Sequence, residues 1–381
     1  MSLYNEKVKA SIFLLSYFDT LGFKNGEWEF NYNIDIKNID TGILATAEII
    51  NQFFTLGGFS DIDLSDWNCS DDTIMAISTG IACLKGGSEK DYIDEYIKIL
   101  GKLKETGKRG SGINTLNTLE KIKRLKKIDK LEYDEAAGGN GAAMRTSLIG
   151  LIYYKEEDLD KLISNSITAS RVTHNYSLGF LGGLVTALFT SYAIRNIPIW
   201  NWVDNLLEIY ESKIIDKYMQ ETNIYNEYKK DKDFFFDNWY EYREQILIDF
   251  KNYGKLEQTF NSRIRSLLNY NQLFNNRYSS FGGSGISVLI VAYDALLMSY
   301  GGNKLPINLE SKDLKFSVES LMFFSALHFG DNDTTGAVAG AWYGAFFGFK
   351  KFDQEKINQL ELKNELENIT QKVIDYNKES K

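Results

Sequence analysis

Two short segments of this sequence place carboxylates and hydroxyls where helices are predicted to begin. Residues 70–73 read Ser-Asp-Asp-Thr and residues 331–335 read Asp-Asn-Asp-Thr-Thr, and apolar residues at helical spacing follow each. One side chain is enough to cap a helix N-terminus, so each cluster has more acceptors than a cap needs. Carboxylate and hydroxyl oxygens are the preferred ligands of Mg²⁺ and similar hard cations. The clusters therefore predict a divalent cation site, with two ordinary helix caps as the alternative interpretation.

The segment after the second cluster carries glycine at four-residue intervals. Gly336, Gly340, Gly344 and Gly348 fall along one slowly drifting stripe of a helix. Each glycine costs roughly 1 kcal/mol of helix propensity relative to alanine, so the four together cost about 4 kcal/mol. Such a helix is stable only where the bare stripe lets another backbone approach closely. We therefore predict a buried central helix here, with the acidic cluster at its N-terminus.

Other segments could contribute to a site around this cation. Glycine-rich loops at 109–114, 138–141 and 281–285 could offer backbone N–H groups to a phosphate, although glycine-rich turns are common. His174 is one of only two histidines, and such a residue is more often a hydrogen-bonded structural group. Glu29 lies between two aromatic residues, where it is either an acid with a raised pKa or an exposed loop glutamate.

Composition narrows the classes of function. The 381 residues carry a formal net charge of −9, which argues against a nucleic-acid partner. Cys69 and Cys83 form neither a disulfide framework nor a paired metal motif, so a reducing, cytoplasmic setting is expected. Charged residues interrupt the N-terminus before any long apolar run, so no secretory signal is recognised. The longest apolar stretches, about 16 residues, fall short of the roughly 20 of a membrane span, and no membrane association is expected.

The patterning of the chain predicts helices throughout. Only two prolines occur, which permits long uninterrupted helices, and period-two alternation is scarce. Between 200 and 278 the composition shifts towards Tyr, Asn, Lys, Asp and Phe, while apolar residues keep helical spacing. We predict an all-α fold in which residues 1–381 form a single domain, with peripheral helices at about 200–278.

Taken together, these segments resemble the ADP-ribosylglycohydrolase family, and most closely its ADP-ribosylarginine hydrolase branch. Paired Asp-Asp-Thr and Asp-x-Asp-Thr motifs, each on its own helix, are specific to the family when both occur. The run GFKNGEWEF at 22–30 points to the arginine branch. The other resembling segments lie in the family's order and cover most of the chain: 70–75, 138–145, 173–193, 293–296 and 330–349.

The resemblance implies an orthogonal multi-helix bundle with a centre of two Mg²⁺ ions, which Mn²⁺ could replace. By that resemblance, one ion would take Ser70, Asp71, Asp72 and Asp333. The other would take Asp331, Asp333 and Thr334, with Asp333 bridging the two ions. The implied catalytic residues are Glu29, Asp71 and Asp72, with Glu29 approaching the scissile ribose.

By the same resemblance, glycine loops would bind most of the substrate. Residues 109–113 and 138–141 would hold the diphosphate and ribose, with His174 near the phosphates, and 281–285 would border the adenosine. The implied substrate-binding residues are Gly110, Ser111, Gly112, Gly138, Gly139, Asn140, Gly141, His174, Phe281, Gly282, Gly283 and Ser284. Asn332, between the two acids, departs from the family pattern without removing a metal ligand.

The implied reaction is Mg²⁺-dependent hydrolysis of the N-glycosidic bond in ADP-ribosyl-arginine, which releases ADP-ribose from modified proteins. The partner would be an ADP-ribosylated protein, and a monomer is expected. The same fold acting on ADP-ribosyl-serine or O-acetyl-ADP-ribose is one alternative, against which the loop 22–30 argues. An inactive ADP-ribose-binding scaffold is another, against which the retained set of acids and hydroxyls argues.

Overall fold

The computed structural model describes residues 2–31, 39–105, 108–253, 281–299 and 317–379. Within these ranges the chain is helical and contains no strand, which confirms the all-α prediction. The first eight α-helices are α1 (Leu3–Phe23), α2 (Ile39–Thr55), α3 (Gly58–Asp61), α4 (Asp71–Leu84), α5 (Glu89–Leu103), α6 (Ile113–Leu125), α7 (Ser147–Ile152) and α8 (Leu159–Arg171). The next nine are α9 (Ser177–Ile194), α10 (Trp202–Glu211), α11 (Ile214–Met219), α12 (Tyr225–Tyr242), α13 (Ile248–Tyr253), α14 (Ser287–Met298), α15 (Val318–Ala326), α16 (Asn332–Phe347) and α17 (Lys363–Glu379).

Helices α1 and α16 form the centre of the fold and approach each other backbone to backbone. A Cβ atom added at Gly340 would lie 2.4 Å from the carbonyl oxygen of Leu14, and one at Gly344 would lie 2.4 Å from that of Ala10. The Ser11 hydroxyl donates a hydrogen bond of 2.8 Å to a carbonyl of α16. The predicted buried central helix is therefore confirmed. Gly348 differs from the prediction, because it follows the helix with a φ of +67° and ends the stripe.

Helix α9 lies in the interior and carries part of an aromatic cluster. By length and composition it could cross a membrane, but every residue of its 18-residue apolar window is buried inside the fold. The ring of Phe189 lies 5.3 to 5.5 Å from the rings of Trp202, Trp239, Tyr293 and Trp342, which come from four other helices. These contacts gather α10, α12, α14 and α16 around α9.

Helices α10 and α12 pack against α9. Their sequence is polar overall, yet Trp202 and Trp239 are fully buried. A π-helical segment, Arg243–Leu247, joins α12 to α13. The predicted peripheral helices correspond to α10 to α13, although residues 254–278 lie outside the described part of the chain. That residues 1–381 form a single domain stays a prediction.

The contact between α1 and α16 yields a stability prediction for Gly340→Ala. The new methyl group would press on the Leu14 carbonyl, and overpacking of this kind costs about 1–3 kcal/mol. Gly101→Ala in α5 is the matched control, because a Cβ there meets no atom within 4 Å and helix propensity improves by up to about 1 kcal/mol. Urea denaturation should show a large loss for the first variant and none for the second. Equal effects would show that α16 is not packed as described.

Candidate active site

The first acidic cluster is held by an aspartate that the sequence analysis did not select. Asp19, fully buried in α1, accepts hydrogen bonds of 3.1 Å from the backbone N–H groups of Ser70 and Thr73. It also accepts one from the Thr73 hydroxyl. Ser70 caps α4 by accepting a bond of 3.1 Å from the N–H of Asp72. Asp19 therefore neutralises the positive end of α4 and orients the acids that follow.

The second acidic cluster begins α16. Asp331 caps this helix by accepting a bond of 3.3 Å from the N–H of Thr334, and its other oxygen accepts 2.7 Å from the side chain of Asn140. The Thr335 hydroxyl is shared among the carbonyls of Ser325 and Asp331 and the ring of His328. Asp331 is thus a cap, as the alternative interpretation held, and also part of a cluster in which Asp333 keeps an unpaired oxygen.

The fold brings the two clusters together. Asp19, Asp72 and Asp333 each offer a carboxylate oxygen, and these three oxygens lie within 4.8 Å of one another. All three residues are buried, at 3 % exposure or less. One oxygen of Asp72 and one of Asp333 have no hydrogen-bond partner in the described part of the chain. Ser70, Asp71, Asp331 and Thr334 are buried at the same two helix N-termini.

The electrostatics of this centre call for a counter-charge. Burial raises the pKa of Asp71 to about 7, with repulsion from Asp19 as the next cause. Burial and mutual repulsion raise the pKa values of Asp72 and Asp333 well above the usual range. Buried carboxylates without partners are costly, and a bound cation both pairs with them and keeps them ionised. The all-oxygen donor set and its orphaned oxygens fit a hard divalent ion.

Glu29 lies at the edge of this centre in a loop that α16 holds in place. The Asn332 side chain donates 3.0 Å to the carbonyl of Trp28, and Phe30 donates 2.8 Å to the carbonyl of Gly330. Glu29 is 9 % exposed, and burial together with Asp331 and Asp71 raises its pKa well above the usual range. Glu27 points outward, with a side chain 64 % exposed and an ion pair of 2.7 Å to Lys24. The loop thus buries one of its two acids beside the centre.

The glycine loops predicted to bind substrate lie side by side. Asn140 donates 3.2 Å from its backbone to Gly283, Gly285 donates 3.0 Å to Gly138, and a single antiparallel bridge joins Gly139 to Ser284. The Asn140 side chain reaches both the Gly282 carbonyl and Asp331. Phe281 is also attached to the centre, since its carbonyl accepts 2.9 Å from the N–H of Asp331. Residues 138–141 and 281–285 therefore form one wall next to the acids.

His174 is buried against the 138–141 loop and is uncharged. A Cβ added at Gly141 would lie 2.7 Å from the imidazole, so this glycine allows the close approach. Burial, and secondarily the positive charge of Arg145, lower the pKa of His174 to about 3. Arg145 donates 2.8 Å to the Thr173 hydroxyl, which lies 2.8 Å from Nδ1 of His174. A neutral imidazole can hydrogen-bond to a phosphate but adds no charge to it.

The loop 109–113 is fixed to α4 and touches Glu29. Asp71 donates 2.8 Å to the Arg109 carbonyl, and a Cβ at Gly110, whose φ is +65°, would lie 2.6 Å from the Glu29 carboxylate. The Arg109 side chain forms a bidentate pair with Glu361, at 2.7 and 2.8 Å, and donates to the Cys69 carbonyl. This arginine is therefore a structural anchor, while Gly110, Ser111 and Gly112 follow it beside Glu29.

Comparison with known proteins identifies the family of the chain. The sequence model of the ADP-ribosylglycohydrolase family matches residues 2–381. The chain belongs to this family. ADP-ribosylhydrolase ARH1 of Dictyostelium discoideum is 30% identical over 98% of this chain and 94% of its own length. A mimivirus protein provisionally named as an ADP-ribosyl glycohydrolase is 31% identical over 96% of this chain and 69% of its own length.

More distant similarities point to the same family. ADP-ribosylhydrolase ARH3 of Mus musculus is 25% identical over 56% of this chain and 50% of its own length. A solved structure titled as an ADP-ribosylglycohydrolase-related protein complex covers 98% of both chains with a TM-score of 0.55 and 18% identity, which shows a shared fold. The protein is thus a hydrolase of ADP-ribosyl groups. The family is typically metal-dependent, and the buried acidic triad could hold a metal ion.

The acidic centre predicts a distinctive response of Asp333→Asn to divalent cations. Without metal the variant should melt at the wild-type temperature or above, because one of several mutually repelling buried acids is gone. Added Mg²⁺ should stabilise the wild type, by about 2.7 kcal/mol at 100 times its Kd, and should stabilise the variant much less. Asp94→Asn in α5, at a side chain 40 % exposed and outside the acidic centre, should behave as the wild type. An equal Mg²⁺ response in all three proteins would refute a metal site at Asp333.

Proposed function

We propose that the protein is a Mg²⁺-dependent hydrolase that cleaves the N-glycosidic bond of ADP-ribosyl-arginine and releases ADP-ribose. The observation that carries the proposal is the burial of Glu29 beside the acidic centre, in the loop whose sequence resembles the arginine branch. A strongly acidic environment favours a leaving group that carries a positive charge, as a guanidinium does. A seryl leaving group is neutral and an acetyl group leaves as the acetate anion, so neither gains from this environment.

The metal ligands proposed are those of the two helix N-termini. Two Mg²⁺ ions, replaceable by Mn²⁺, would be held by Ser70, Asp71, Asp72, Asp331, Asp333 and Thr334, and the geometry adds Asp19 to this set. When bound, the metal would supply Lewis acidity and charge neutralisation at the ribose. Ordinary helix capping already occupies Ser70 and Asp331 in part, so the orphaned oxygens of Asp72 and Asp333 are the central ligands.

The residues around the acidic centre would bind the substrate and assist the attack of water. The loops 138–141 and 281–285 form the wall against which the diphosphate and adenosine would lie, and neutral His174 would assist by hydrogen bonding. Glu29 orients the attacking water or accepts its proton. The bond from the anomeric carbon to the guanidino nitrogen breaks, the bond to the water oxygen forms, and the water proton ends on the released guanidino group.

The proposal is tested with three substrates: arginine-linked, serine-linked and acetyl-linked ADP-ribose. Free ADP-ribose is measured with and without Mg²⁺. We expect rapid Mg²⁺-dependent release from the arginine-linked substrate and slow release from the other two. Preference for serine or acetyl linkage would refute the arginine assignment, and binding of ADP-ribose without turnover of any substrate would identify a scaffold.

Glu29→Gln tests the proposed proton transfer. The substitution keeps the volume of the side chain but removes its basicity, and general acid–base residues typically contribute 10²–10⁴-fold, so kcat should fall by about that factor. ADP-ribose affinity should be largely kept. Glu27→Gln, on the exposed side of the same loop, should change little. Parallel behaviour of the two variants, or weakened binding with unchanged kcat, would exclude Glu29 as a catalytic residue.

A further inference from the structure

A cavity opens beside Glu29 and the loop 109–113, the loop that the resemblance assigned to the diphosphate and ribose. Its volume is approximately 390 Å³, within the range of small-molecule pockets. Glu29 and Ser111 contribute to its inner wall, while Leu103 of α5 and Leu116 of α6 supply apolar surface. None of the described residues that line it belongs to the loops 138–141 or 281–285. The cavity is therefore separate from the wall proposed for the diphosphate and adenosine, and Glu29 lies between the cavity and the acidic centre.

The charge of this cavity is negative. Glu29, buried next to the acidic centre, lines its inner part, and the exposed carboxylate of Glu105 lies on its rim at the end of α5. Lys104 is the one cationic side chain among the described lining residues, and it is ion-paired with Glu120. The Ser111 hydroxyl has no hydrogen-bond partner in the described part of the chain, so it is available to a ligand.

We propose that this cavity holds the leaving arginine side chain, with its methylene groups against Leu103 and Leu116 and its charge favoured by Glu105. The inference rests on the proposed function, because it names where the group released at the anomeric carbon must lie. The scissile bond meets Glu29, the ADP-ribose extends towards the glycine loops, and the other partner of the bond therefore extends into the cavity. Glu105 acts as a specificity-determining residue through its field, and apolar walls suit the arginine stem.

A charge-reversal pair tests the electrostatic part of the proposal. Glu105→Lys should raise KM for ADP-ribosyl-arginine about three- to tenfold, with kcat and the kinetics on O-acetyl-ADP-ribose unchanged. Asp94→Lys makes the same charge change on α5 away from the cavity and should leave both substrates unaffected. Added salt should reduce the difference between the Glu105 variant and the wild type.

Two substitutions that enlarge a side chain test the proposed location of the arginine side chain. Leu116→Trp partly fills the cavity and should reduce kcat/KM for ADP-ribosyl-arginine about tenfold or more, while O-acetyl-ADP-ribose, whose leaving group is small, should react as before. Ile113→Trp on the same helix is the control, because Ile113 is 78% exposed and does not line the cavity. Melting temperatures of both variants show that each is folded.

The outcomes separate the two proposals. If the wild type does not hydrolyse the arginine-linked substrate, the proposed function fails and the cavity assignment fails with it. If the wild type does so but Glu105→Lys and Leu116→Trp affect both substrates alike, or neither, the proposed function stands and the cavity assignment is overturned. A loss confined to the arginine-linked substrate supports the assignment.

Discussion

The close approach of α1 and α16 is the contact on which the rest of the structure depends. Three glycines of α16 remove the side chains that would keep the two backbones apart, and Gly22 does the same from α1, where a Cβ would lie 2.3 Å from the Asn332 carbonyl. Because the helices run together up to the start of α16, Asp19 of α1 reaches Asp333 of α16. The loss of helix propensity at the glycines is offset by this packing.

The same contact brings several carboxylates together in the interior. Their burial and mutual repulsion oppose folding. Helix N-termini offset part of that cost, since α4 and α16 both direct their positive ends at the acids. Asp19 and Asp331 are further satisfied by N–H and side-chain donors, but the orphaned oxygens of Asp72 and Asp333 remain. A structure keeps such a conflict where function requires it, and the proposed cation site would resolve it.

Loops of the site are fixed through backbone hydrogen bonds to one another and to α16. Asn332 links the Glu29 loop to the helix that carries the acids, and it also accepts 2.9 Å from the backbone of His328. Asn140 likewise links the two glycine loops to Asp331. These cross-links hold Glu29, the acids and the glycine loops in one arrangement before substrate binds, which is how a site avoids reorganisation during reaction.

The helical class, the two acid-and-hydroxyl clusters and the glycine stripe could be predicted from the sequence, because each is a local pattern with a period or a cap chemistry of its own. It also placed Glu29 in a distinctive loop. Asp19 was not predicted as a site residue, because it is a single acid in an apolar helix. Nothing nearby in sequence shows which group its carboxylate contacts. The partner of Arg109 was equally out of reach, because its side chain pairs with Glu361, some 250 residues away.

Tertiary structure decided everything that depends on contacts between distant segments. It set the neutral state of His174 by burial beside Arg145, paired the loops 138–141 and 281–285, and turned Glu29 inward and Glu27 outward. It also formed the cavity beside Glu105 from residues within two distant stretches of the sequence, 23–29 and 103–116. Sequence patterns report the preferences of a few neighbouring residues, whereas burial, charge repulsion and cavity shape arise only when distant segments pack together.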